Sequence, residues 1–331
     1  MLAVRPRGGE VTTVIRAASG AGRPALLLWL LAGAALLLAA CGGDDGEPDG
    51  RPRVLASTAI IAEFARQVAG DDAVVTTLIP AGVEVHAFEP TTDAARRIAE
   101  ADVIFVNGYN LEAGVLDVIV ENRASDAALI VVSEGISPLR AGGVADVDPA
   151  DLLFAAGDPH MWLDVENAER YVDRIRRALV EVDPVQAGGY EQRAGAYVEE
   201  LRALRAELEQ TIGVIPAPRR KLVVFHDAFR YFAQAFGLEL VAAVSPANPN
   251  QEPSPRDVID TINTVERERV PAVFREPQFS SQVLDLVAEE TGAAVLTLLS
   301  VPVPGVAESY AAMMRANARA LVAGLAVDSL S

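Results

Sequence analysis

Strand-like and helix-like segments alternate along this chain, and the alternation is interrupted once by a long helical pattern. Before the interruption, helical patterns follow several of the short apolar runs. Strands that alternate with helices favour parallel sheets with both faces covered, because each crossover lays a helix over the sheet. The predicted strands of this first half are VLAST (54–58), VVTTLI (74–79), VIFV (103–106) and LIVV (129–132).

The same alternation returns after the interruption. Ser254-Pro255 has the features of a helix start, with a capping hydroxyl followed by proline at the first helical position. Gly292 is a typical helix stop. We therefore predict an α/β fold with two similar domains, although no residue-level repeat is visible. The strands of the second half are LVVF (222–225), LELVAAV (238–244), AVFR (272–275) and AAVLTLL (293–299).

The interrupting segment predicts one long helix from about Pro184 to Ile212, roughly 40 Å long at 1.5 Å per residue. Its apolar residues recur every three, four or seven positions and form a narrow stripe. We interpret it as a rigid strut that joins the two domains, and a surface helix within one domain is the alternative. The predicted domains are 53–183 and 214–331, with the linking helix at 184–213.

The first 40 residues have the layout of a secretory signal, with a basic leader and an apolar run at 25–40. The run is shorter than the roughly 20 residues that a transmembrane helix needs. It ends in Leu-Ala-Ala before Cys41, which is similar to a bacterial lipobox and predicts lipidation of Cys41. Residues 41–52 are acidic and lack core-forming side chains, so they predict a disordered tether.

Charge and cysteine content exclude several classes of function. Without residues 1–40, which hold four arginines and one glutamate, the formal net charge changes from −18 to −21. Nucleic acid is excluded as a partner, because phosphate backbones require many basic side chains. Cys41 is the only cysteine, so neither a disulfide framework nor a thiolate metal site is available.

The chain contains only three histidines, and each lies at the head of a predicted helix. His86 lies in GVEVHAFEP, His160 in DPHMWLDVENA, and His226 in VVFHDAFRYFAQAFGL at the end of a strand. Ligands collect at loops beyond the carboxyl ends of parallel strands, and neutral imidazole binds zinc and other late first-row metals. Each histidine alone has an ordinary structural interpretation, but together they predict one metal site.

These segments resemble the zinc/manganese-binding lipoproteins of bacterial ABC importers, the ZnuA/TroA-like family (cluster A-I solute-binding proteins). The resemblance runs from about Pro52 to Leu321. It implies two α/β domains joined by a long helix, with the metal in the cleft between them and His86, His160 and His226 as its ligands. The segments that carry it are IPAGVEVHAFEP, ARRIAEADVIFVNGYNLE, DPHMWLD, FHDAFRYFAQAFGL and FREPQFSS.

The sequence departs from the family where a fourth ligand is often an Asp or Glu, since Leu299 lies about there. Water would complete a tetrahedral site. Glu276 is a candidate fourth ligand or a residue that supports a ligand, and Glu84 is a further candidate. The stretch 138–157, where many zinc members carry a histidine-rich loop, contains acids but no histidine.

Three imidazoles favour Zn²⁺ over Mn²⁺, because nitrogen sites follow the Irving–Williams order and the hard Mn²⁺ ion prefers oxygen ligands; Mn²⁺ and Fe²⁺ are the alternative ions. The resemblance implies a monomer tethered to the outer face of a bacterial cell membrane by its lipid, which delivers metal to an ABC permease and a separate ATPase subunit. The single lysine, Lys221, is not part of a phosphate-binding loop. The alternatives are a manganese or iron homologue, a zinc hydrolase or lyase with a three-histidine zinc–water site, and a purely structural lipoprotein or adhesin.

Overall fold

In the computed structural model, the described residues are 50–139, 149–245, 252–280 and 282–326. The predicted signal peptide and Cys41 lie outside the described residues. No helix in the described part of the chain is both long and apolar enough to cross a bilayer.

The N-terminal lobe is built on a four-stranded parallel sheet with strand order β2-β1-β3-β4. Its strands lie within one or two residues of the predicted positions. The strands are β1 (Arg53–Thr58), β2 (Val74–Ile79), β3 (Val103–Val106) and β4 (Ala128–Val131). The helices of this part of the chain are α1 (Ala59–Ala69), α2 (Thr92–Ala99), α3 (Leu116–Asn122), α4 (Pro149–Leu152) and α5 (Val165–Val182).

The long helix, α6 (Ala187–Gly213), has 27 residues. It begins later than the sequence predicted, because Pro184–Gln186 forms a separate 3-10 turn. The apolar stripe between Tyr190 and Ile212 is buried as expected. The helix packs against α1 and α5 and also against the last helix of the chain.

The C-terminal lobe repeats the parallel architecture, with strand order β6-β5-β7-β8. The strands are β5 (Lys221–His226), β6 (Glu239–Ser245), β7 (Ala272–Arg275) and β8 (Ala294–Thr297). The helices are α7 (Arg230–Phe236), α8 (Pro255–Glu268), α9 (Gln282–Thr291) and α10 (Tyr310–Leu325). The prediction of two similar parallel α/β units joined by a long helix is confirmed.

Strand β5 shows why both faces of its sheet are apolar. Leu222 and Val224 lie in a large core that extends through the N-terminal lobe, whereas Val223 and Phe225 lie in a smaller core on the opposite face. Successive side chains of a strand point to opposite faces, so a continuous apolar run is needed when helices cover both. The shared large core packs the two lobes together, and the predicted domain boundaries stay a prediction.

Both sheets have the same switch in strand order. In each sheet the first strand in the chain lies between the second and the third. The chain therefore adds its second strand on one side of the first and its third strand on the other side. Loops at the carboxyl end of such a switch point form a crevice in which open α/β sheets bind ligands. His226 is the last residue of β5, a strand of this kind, and His86 follows β2, the neighbour of β1 in the other sheet.

Candidate metal centre

His86 lies in the loop between β2 and α2, and a nearby carboxylate shapes that loop. The Glu84 carboxylate accepts hydrogen bonds from the backbone N–H groups of His86 at 3.0 Å and of Ala87 at 2.7 Å. Glycine is required where the loop meets its neighbour, since a Cβ at Gly114 would lie 2.2 Å from the carbonyl oxygen of Phe88. The loop is therefore held on both sides of the imidazole.

His160 is fixed by a carboxylate in the same relative position. Asp158 Oδ1 accepts from the backbone N–H of His160 at 3.0 Å and contacts its Nδ1 at 2.9 Å. Asn107, at the end of β3, donates from Nδ2 to the Pro159 carbonyl at 2.9 Å. A histidine that donates from Nδ1 to a carboxylate presents the lone pair of Nε2, which is the usual arrangement of a metal-ligating imidazole.

His226 is the last residue of β5 and is supported by the segment that follows β7. Its Nδ1 lies 3.4 Å from Glu276 Oε2, which is long for a hydrogen bond but close for opposite charges. The Phe279 ring packs edge-on against the imidazole, with centroids 5.4 Å apart.

The three rings converge from loops that are distant in sequence. Their centroids are 4.8–5.6 Å apart, and one nitrogen from each lies within 4.8 Å of the others. His86 Nε2 and His160 Nε2 are 3.3 Å apart. Tetrahedral Zn–N bonds of 2.0–2.1 Å place two nitrogens about 3.3–3.4 Å apart, so this pair has the spacing that one ion requires.

The surroundings hold one of these imidazoles in its neutral, ligating form and pull another towards its charged form. Burial, together with the positive charge that His160 and His226 carry when protonated, lowers the pKa of His86 to about 3. Burial also opposes protonation of His226, but Glu276 outweighs it and the pKa of His226 is raised. A divalent ion bound between the rings would take the place of the second proton of the imidazolium, while the carboxylate keeps its contact with Nδ1.

The turn that carries His160 is fastened to the C-terminal lobe as well as to its own. Trp162 Nε1 donates to the Ser300 carbonyl at 2.8 Å, and the Tyr310 hydroxyl donates to the Trp162 carbonyl at 2.7 Å. The Tyr231 hydroxyl donates to the Asp158 carbonyl at 3.0 Å. All three bonds are buried and cross between the lobes, so the turn cannot move away from the C-terminal lobe without breaking them.

The three positions considered for a fourth ligand differ in where they lie relative to the imidazole rings. Glu276 is 1% exposed and lies on the Nδ1 side of His226. Glu84 lines the cavity between the rings, while its carboxylate bonds the backbone of its own loop. Leu299 packs in the apolar core, and Asn317 binds both its backbone N–H and its carbonyl at 2.8 Å.

Two residues of the site were missed from the sequence. Asp158 was recoverable, because an acidic residue lies two positions before the histidine in both Glu84-Val85-His86 and Asp158-Pro159-His160. Gln278 carried no such signal. It lines the cavity with the three imidazoles, and this proximity depends on how the segment after β7 folds over His226.

The sequence profile of the ZnuA family, described as zinc-uptake complex component A, periplasmic, matches residues 54–324. The manganese-binding lipoprotein MntA of Halalkalibacterium halodurans is 32% identical over 298 residues, covering 88% of this chain and 95% of that protein. The iron-binding protein YfeA of Yersinia pestis is 34% identical over 275 residues, covering 82% of this chain and 85% of that protein.

Solved structures agree with the sequence relatives. The periplasmic zinc-binding protein TroA of Treponema pallidum superposes with a TM-score of 0.74 at 26% identity, covering 84% of this chain and all of that one. A Mn-bound periplasmic metal-binding protein of Candidatus Liberibacter asiaticus gives a TM-score of 0.72 at 29% identity, covering 83% of this chain and all of that one. Proteins named for zinc, manganese and iron therefore share this fold.

Proposed function

The chain belongs to the ZnuA family of metal ABC transporter solute-binding proteins, and we propose that it captures Zn²⁺ outside the cytoplasm and delivers it to an import permease. The observation that carries this proposal is the convergence of His86, His160 and His226 on one small cavity. The three rings come from both lobes, so one ion would bridge the cleft.

The choice of zinc rests on the donor atoms. All three predicted ligands are imidazole nitrogens, which suit zinc better than manganese, because Mn²⁺ prefers carboxylate and water oxygen. Asp158 and Glu276 support this choice by their position, since they lie at Nδ1 atoms rather than between the rings. Manganese or iron is the alternative cargo, because two of the relatives are named for binding these metals.

Transport rather than catalysis fits the histidine count. All three histidines of the chain belong to the cluster, so none remains to shuttle protons for a zinc-bound water. ATP hydrolysis is assigned to a separate subunit that drives the permease. We propose that the protein is a monomer anchored through lipidated Cys41 to the outer face of the cell membrane, and that docking on the permease displaces one ligand loop to release the ion.

Isothermal titration of the purified protein with Zn²⁺, Mn²⁺ and Fe²⁺ at pH 7.5 tests the proposal. We expect Zn²⁺ to bind most tightly, at one ion per chain. His160→Ala should weaken binding by orders of magnitude, whereas Gln234→Ala, at an exposed position on α7, should leave it unchanged. Failure of the unaltered protein to bind any of the three ions would reject metal capture, and tighter binding of Mn²⁺ would reject the assignment of zinc.

A further inference from the structure

Beyond the three imidazoles, one residue that lines the cavity has a buried polar atom without a hydrogen-bond partner among the described residues. Gln278 lines the cavity with His86, His160 and His226. Its side-chain amide nitrogen donates to Glu276 Oε1 and to Ser300 Oγ, both at 3.0 Å. Its carbonyl oxygen Oε1 is buried and accepts no hydrogen bond. An unpaired buried carbonyl costs about 1–3 kcal/mol, so such an atom calls for a partner.

The orientation of this amide is set by its neighbours. Reversing the amide would place its oxygen 3.0 Å from the Glu276 carboxylate, where two acceptors would repel each other. The nitrogen therefore faces Glu276 and Ser300, and the oxygen takes the remaining direction. Glu276 in turn is held at His226, so the segment 276–279 supports the imidazole and the amide together.

Asp158 and Glu276 are not among the residues that line the cavity, and the carboxylate of Glu84, which does line it, bonds the backbone of its own loop. Asp158 binds His160, and Glu276 lies between His226 and the Gln278 amide. The cavity among the rings has a volume of about 10 Å³, which is room for one small ion. A neutral oxygen donor in that space meets the needs of a divalent cation that already has three nitrogen ligands.

We propose that the amide oxygen of Gln278 is the fourth donor of this site and binds the captured ion directly or through one bound water. The inference rests on the proposed function and adds a determinant of its selectivity. A neutral fourth donor leaves the full charge of the ion uncompensated by its direct ligands, which disfavours hard cations such as Mn²⁺ that prefer carboxylates. Gln278 would thus help the site to favour Zn²⁺.

Two variants test this role. Gln278→Met keeps the length of the side chain but removes the oxygen, and we expect the Kd for Zn²⁺ to rise about 10- to 100-fold. The exchange Glu276→Gln with Gln278→Glu keeps the amide–carboxylate hydrogen bond and places the carboxylate at the ion. It should raise the affinity for Mn²⁺ relative to Zn²⁺ by at least about tenfold.

The selectivity ratio separates ligation from a structural role, because a change of stability alone does not alter the ratio of two metal affinities. If both variants keep the unaltered protein's Kd for Zn²⁺ and its zinc-to-manganese ratio within twofold, the inference is overturned. If Gln278→Met does not fold, the exchange variant still decides. The proposed function fails separately, when the unaltered protein binds no divalent ion.

Cobalt loading distinguishes the two modes of contact. A bound water exchanges with azide and the visible Co²⁺ bands shift, whereas direct coordination by the amide leaves them unchanged. In either case Gln278→Met should alter the bands of the azide-free protein. Bands identical to those of the unaltered protein would contradict the inference.

Discussion

Glu63 offers a test of the contact between the lobes that does not depend on metal. It lies on α1, and its two carboxylate oxygens accept from the backbone N–H of Tyr310, the first residue of α10, at 2.9 and 2.8 Å. Burial raises the pKa of Glu63 from 4.5 to about 7, although this hydrogen bond and the charge of Arg66 lower it. The folded protein thus favours the protonated carboxyl.

The direction of the pH effect follows from this shift. The unfolded chain releases the Glu63 proton near pH 4.5, and the folded protein releases it near pH 7. Between these values the folded state binds the extra proton, so the contribution of Glu63 to the free energy of unfolding falls as the pH rises and is lost above 7. At about 1.4 kcal/mol per pKa unit the loss is about 3 kcal/mol, or about 2 kcal/mol once residual solvent screening is allowed for.

The variant Glu63→Gln isolates this contribution, because its amide oxygen still accepts from Tyr310 but carries no charge. Urea unfolding of the two proteins in the presence of a chelator, from pH 5 to 8, gives the difference in free energy. As the pH rises from 5 to 8, the free energy of unfolding of the variant should increase by about 2–3 kcal/mol relative to that of the unaltered protein. The reasoning would be refuted if the free energies of unfolding of the two proteins changed in parallel with pH, or if the variant lost stability relative to the unaltered protein towards pH 8. Either result would show that the ionised carboxylate is stabilised at the start of α10.

Three further predictions concern the site. Asp158→Asn keeps an acceptor at His160 but removes the charge, and titration should show Zn²⁺ affinity reduced about 10- to 100-fold, whereas unchanged affinity would count against this support. As the pH is lowered, Zn²⁺ affinity should already decrease at pH values above 6.5, because the raised pKa of His226 makes it the main competitor for protons while His86, with a pKa of about 3, competes little. A decrease confined to pH 3–4 would contradict this. Trp162→Phe leaves a buried carbonyl without its donor, and chemical denaturation should show about 1–3 kcal/mol less stability, a loss that is refuted if the midpoint does not move.

The fold was predictable because its signals are local. Thr91, Asp164 and Ser254 accept from the backbone of the helices they precede, as their side chains indicate. The start of α6 was wrong by one short turn, because Pro184 suits either a 3-10 turn or the first turn of an α-helix and only packing decides.

The site was predictable to the extent that its proposed ligands are of a residue type that is rare in this chain. Three histidines in strand-end loops pointed to one place, and the structure brings their rings together. The supporting residues were harder to identify. Glu276 and Gln278 are common residue types in a loop, and which of them faces an imidazole and which faces the cavity depends on the course of the backbone after β7.

The His160 turn is held against the C-terminal lobe by hydrogen bonds of Trp162, Tyr310 and Tyr231, so the three histidines are not supported in the same way. Although His160 precedes the long helix in the chain, these bonds couple it to the lobe that carries His226, whereas the backbone of the His86 loop is held by the Glu84 carboxylate of that same loop. We therefore expect dissociation of the ion to begin at the His86 nitrogen. Substitutions in loop 82–90 would then change the residence time of the ion, whereas His160 and His226 would continue to fix its position.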